Sequence, residues 1–162
     1  MNKTTILISA VAIAAAAGAA IFFVGDSEQK AASPTERAIK DRQANFKTMG
    51  AIMKSIEEQT KSDDPDQKKI ADGANRLASL GADIPNWFPV GSGPDSGFAT
   101  HAKPDIWSDN GAFLQRQDEY MTEARKLASV AASGTMAEVT SQFYTTGVAC
   151  ANCHKPFRAK MD

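Results

Sequence analysis

From residue 33 onward, apolar residues recur at steps of three and four rather than two, the period of helices that bury one stripe. Arg42, Phe46, Met49, Met53 and Ile56 share such a face and predict a first helix from Pro34 to Thr60. Ile70, Ala74, Leu77 and Leu80 predict a second, from Pro65 to Leu80, ended by Gly81. A third, opened by Pro104, turns Ile106, Phe113, Tyr120, Ala124, Leu127 and Ala131 inward and closes near Gly134. The fourth sets Val139, Phe143, Gly147, Cys150, His154 and Phe157 at helical spacing. Residues 82–103 are rich in Gly, Pro, Ser and Asp and read as a loop. No strand-like alternation competes, so the fold class is all-α and the architecture an up-down-up-down four-helix bundle.

Three of these helices open with the same device. Ser33-Pro34-Thr35-Glu36 offers an N-cap serine, a proline at the first helical position and a glutamate able to reach back. Asp64-Pro65-Asp66-Gln67 repeats it with glutamine, and Thr135-Met136-Ala137-Glu138 is a third capping box. In the up-down topology, the start of the first helix, the 82–103 loop and the end of the fourth helix all lie at one end of the bundle. The last cysteine and histidine of the chain lie there too.

The segment before the bundle is of another kind. Lys3 precedes an uncharged apolar run from Ile6 to Val24, the pattern of an export signal, so the chain is expected to leave the cytoplasm for the periplasm. The run exceeds the ~7–15 residues of a cleavable h-region and approaches the ~20 of a spanning helix. Small residues at Ala17 to Ala20 could be cleaved, but Ile21, Phe22, Phe23 and Val24 follow, which favours an uncleaved inner-membrane anchor. Lys3 on one side and Asp26 and Glu28 on the other place the domain outside. Residues 1–24 are thus signal peptide or anchor, 25–32 a polar linker, and 33–162 the bundle.

Charge and cysteine count narrow the partners. A formal charge of -1 over 162 residues leaves no basic footprint for nucleic acid. The only two cysteines sit in one short motif, which rules out a long-range disulfide framework.

That motif is Cys150-Ala151-Asn152-Cys153-His154. Two thiols one turn apart can each add to a haem vinyl group, while the next residue presents imidazole to the iron, so the expected cofactor is one covalent haem c per chain. A thioredoxin-like dithiol needs a preceding strand, and here a helix precedes it. A structural zinc needs four ligands, and His101 is the only other histidine.

A haem motif at the end of a four-helix bundle resembles the class II c-type cytochromes, specifically the cytochrome c prime family. The residues that carry the likeness are the run Arg42 to Gly50, the run Lys103 to Trp107, and Cys150 to Arg158. The resemblance implies His154 as axial ligand, Arg42, Gln43 and Phe46 in the pocket on the opposite, distal side, and Arg158 in the proximal pocket. Arg42 is then expected to pair with haem propionates. Phe46 falls where low-spin relatives carry a ligating methionine, and phenylalanine cannot ligate iron.

The iron is therefore expected to be five-coordinate and to bind nitric oxide and carbon monoxide. Dioxygen is disfavoured because no polar donor stands beside it. The alternative is a six-coordinate electron carrier in which Met49, one turn along the same face, supplies the sixth ligand; Met53 lies a further turn on. Met121 and Met136 read as core, His101 as a solvated loop residue, and Trp87 and Phe88 as cover for the bundle end, with Trp107 packed under the third helix. No nucleophile or general base is evident, so no enzymatic activity is expected. A redox partner protein is unspecified, and the resemblance implies a homodimer through helix packing.

Overall fold

A computed structural model of the protein describes residues 32–160. The signal or anchor reading of residues 1–24, and all but the end of the 25–32 linker, lie outside the described residues. Among the described residues no helix is long and apolar enough to cross a membrane.

The helices are α1 (Pro34–Thr60), α2 (Gln67–Asp83), the single turn α3 (Asp105–Ser108), α4 (Asn110–Ser133) and α5 (Met136–Phe157). Helix α1 packs against α2 and α5, and α4 packs against the same two, closing a four-helix bundle. Ile56, Ile70, Leu77, Leu127 and Val139 are fully enclosed at its centre, each burial stabilising by about 1.5–3 kcal/mol. Among the described residues no buried side-chain nitrogen or oxygen lacks a hydrogen-bond partner.

The caps are only partly as expected. Ser33 accepts from the Glu36 N–H at 3.1 Å, but the Glu36 carboxylate turns outward to Lys40 at 2.6 Å. The box at α5 is complete, with Glu138 N–H donating to Thr135 Oγ1 and Thr135 N–H donating to Glu138 Oε2. Helix α2 starts two residues late: Asp66, not Asp64, is the cap and accepts from Lys69 N–H at 3.0 Å.

Gly81 does not end α2, which continues to Asp83. A Cβ there would stand 2.5 Å from Tyr120 Cε1 and 2.6 Å from Met121 Sδ. The glycine marks a close approach of α2 to α4. The expected third helix is split at Asp109, whose backbone leaves the helical region (φ -125°, ψ 56°) while its side chain accepts from Ala112 N–H to cap α4. Aspartate competes for local backbone donors in this way and so breaks a helix that an apolar pattern alone would carry through.

The 84–104 connection contains two short 3-10 turns, Ile84–Trp87 and Pro94–Ser96. It is tied to both ends it must reach. Lys103 N–H donates to Phe157 O at 3.0 Å and Ala159 N–H to His101 O at 2.8 Å, an antiparallel bridge pairing Ala102 with Arg158. At the opposite end of the bundle Gln67 Nε2 donates to Gly134 O at 2.9 Å, joining the start of α2 to the α4–α5 turn.

Candidate functional site

The final turns of α5 carry Cys150, Cys153 and His154, and Pro156 lies in the last turn before Arg158 N–H closes the helix on His154 O at 2.9 Å. Three- and four-residue spacings put these side chains on one face. That face looks into a cavity of about 490 Å³ between α1, α5 and the loop, within the ~300–1,000 Å³ usual for cofactor sites.

Every residue expected at the site lines this cavity: Arg42, Gln43, Phe46, Cys150, Cys153, His154 and Arg158. Met49, Met53 and His101 line it too. The Phe46 and His154 ring centroids are 6.4 Å apart with planes at 74°. Gly50 and Gly147 also border the space; a Cβ would meet nothing within 4 Å at Gly50 and only Met53 Cε, at 3.9 Å, at Gly147. Met49 is buried in the core cluster, as is Met121. His101 and Arg158 are exposed.

Arg42 is only 3% exposed. Its Nη1 donates to Ser92 Oγ at 2.7 Å, and its Nη2 to Ser92 O at 2.6 Å and Thr100 Oγ1 at 2.7 Å. The guanidinium carbon lies 4.9 Å from the Phe88 ring centroid and 5.9 Å from that of Trp107, within cation–π range. Among the described residues no carboxylate lies within ion-pair distance of it. Burial lowers its pKa. Gln43 Nε2 donates to Ala99 O at 3.0 Å. The Arg42 partners Ser92 and Thr100, and the loop strap to Arg158, carry no signal in the sequence: all are contacts between segments far apart in the chain.

Burial pushes the Cys150 and Cys153 thiols up to about 11, aided at Cys150 by the neighbouring Cys153. Burial first, and the nearby Arg158 charge second, lower the His154 pKa. A neutral imidazole is the form that ligates metal.

A family model described as cytochrome c′ matches residues 37–158. The chain belongs to the cytochrome c′ family. The cytochrome c′ of Halomonas halodenitrificans is 34% identical over 131 residues, covering 77% of this chain and 98% of that one. A solved cytochrome c′ described as having an unusual ligand-controlled dimer dissociation superposes with a TM-score of 0.73 at 26% identity, covering 80% of this chain and 100% of the other. The nitric oxide complex of a variant of cytochrome c prime from Alcaligenes xylosoxidans gives 0.70 at 27% identity, covering 78% and 97%.

As a cytochrome c′ the protein is a c-type haem protein whose haem c is covalently bound. The site fits that group by its own chemistry. Paired thiols and an imidazole share one face, the walls are mostly apolar, and a buried guanidinium without a protein carboxylate is available to an acidic substituent.

Proposed function

We propose that this cytochrome c′ binds nitric oxide, and secondarily carbon monoxide, at a haem iron held from one side only. When bound, the haem supplies an iron centre that accepts a diatomic ligand and can exchange an electron. Cys150 and Cys153 would anchor the macrocycle through thioether bonds, and His154, on the same face of α5, would ligate its iron. Arg42 would donate to the propionates, Gln43 would border the distal pocket, and Arg158 would shape the proximal one.

The observation that carries this reading is Phe46, whose ring faces His154 from α1. A hydrocarbon ring there can neither ligate iron nor donate a hydrogen bond. It crowds the open position and must move for a gas to enter, at about 1–3 kcal/mol. Strong ligands overcome that and weak ones do not. That a solved relative is a nitric oxide complex supports the choice of gas.

Met49 also lines the cavity, so the competing reading is a six-coordinate electron carrier with its thioether on the iron. Carbon monoxide titration of Phe46→Ala and Met49→Leu separates the two. Only the substitution at the true distal residue opens the iron.

We place the domain in the periplasm on the strength of the Ile6 to Val24 run, either released or held by that run as an anchor. It acts as a binding protein and not as an enzyme. A homodimer fits a family in which one solved member has ligand-controlled dimer dissociation.

A further inference from the structure

Among the described residues, Trp87 is the one aromatic residue packed on Phe46 that does not itself line the cavity. Its ring meets Phe46 edge-on, with centroids 5.1 Å apart and planes at 86°. Phe88, which does line the cavity, lies 6.2 Å from Phe46 and 5.1 Å from Phe113, the next ring into the core. Phe46 is therefore packed edge-to-face against a ring that does not line the cavity.

The segment carrying Trp87 is itself fixed. Ile84, at the head of the same 3-10 turn, is buried. The Phe88 carbonyl accepts from Trp107 Nε1 at 3.0 Å. Beyond it, Ser92 receives two bonds from Arg42, one helical turn before Phe46 on the same face of α1. The helix thus grips the loop with Arg42, and the loop in turn braces the helix side chain at Phe46.

We propose that Trp87 is a positioning residue that sets gas affinity by holding Phe46 in its inward place. This rests on the gas-binding reading above. A ligand entering opposite His154 must displace Phe46, and displacement breaks the edge-to-face contact with Trp87. Removing that contact lowers the barrier only while Phe46 is present.

The test is a double-mutant cycle on the haem-loaded protein, with carbon monoxide as the probe. Trp87→Ala should tighten carbon monoxide binding about two- to tenfold, the worth of one edge-to-face aromatic pair. In the Phe46→Ala background the same change should do nothing. Trp87→Phe, which keeps an aromatic edge, should return most of the wild-type affinity and guards against a misfolded alanine variant. Denaturant unfolding of the four proteins of the cycle gives a readout independent of gas: the losses from Phe46→Ala and Trp87→Ala should be less than additive.

If Phe46→Ala leaves affinity unchanged, the distal assignment itself fails. If Phe46→Ala tightens binding but Trp87→Ala is silent, or acts equally in both backgrounds, the brace is overturned and the gas-binding reading stands.

Discussion

The rings of Phe46 on α1 and His154 on α5 meet edge to face at the cavity, with centroids 6.4 Å apart and planes at 74°. On the proposed reading, the two sides of the iron site would be a ligand on one helix and a hydrocarbon on another. This opposition separates a gas-binding haem from an electron carrier capped on both sides.

Phe46→Ala should tighten carbon monoxide binding about ten- to a hundredfold, which is the release of ~1–3 kcal/mol of crowding. Collapse of neighbouring side chains into the gap reduces the gain. Phe46→Met should act oppositely, offering a thioether and lowering gas affinity. Equilibrium titration of the ferrous proteins reads both.

Replacing Cys150 and Cys153 together by alanine should abolish covalent attachment. Acid-acetone extraction should then release all haem, and the bundle should lose stability with a core component no longer fixed. Intact-mass analysis showing the haem adduct in the double variant would overturn the attachment assignment.

Arg42→Leu removes the donor of three hydrogen bonds to Ser92 and Thr100. Leaving the buried Ser92 acceptors unmatched should cost about 1–3 kcal/mol. The loss should be concentrated in the loop, so amide exchange should quicken across residues 88–100 before it does so in α2 or α4.

Much of this arrangement is legible in the sequence, and what is not has a common cause. The 3.6 period placed Ile56, Leu77, Leu127 and Val139 in the core, and the spacing of Cys150, Cys153 and His154 put the haem ligands on one face. These are local facts of a helix. Gly81 reads as a stop because a glycine needed for a close helix crossing looks the same in sequence as one that ends a helix. The break at Asp109 is hidden in the sequence because the apolar pattern continues past it. The grip of Arg42 on Ser92 and Thr100 spans 50 and 58 residues, and no periodicity reports contacts of that range. The resemblance implies haem propionates as partners of Arg42; its bonds to the loop are what the structure shows.

Gly81→Ala provides a test of the fold that is independent of haem. A methyl group would meet the Tyr120 ring at 2.5 Å and the Met121 sulfur at 2.6 Å. Forcing α2 and α4 apart should cost about 1–3 kcal/mol, despite the higher helix propensity of alanine. Thermal unfolding followed by circular dichroism would show the lower midpoint. Gly50→Ala, where a Cβ meets nothing within 4 Å, is the matched control and should leave the unfolding of haem-free protein unchanged or slightly improved.

The coordination of the wild-type iron is the most direct measurement. Absorption and resonance Raman spectra of the purified protein, ferric and ferrous, report spin state and ligand number without any substitution. A cavity closed by Phe46 requires a five-coordinate, high-spin ferrous haem with histidine as its only protein ligand. A low-spin, six-coordinate spectrum with the far-red methionine charge-transfer band in the ferric state would put Met49 or Met53 on the iron and contradict the assignment of Phe46.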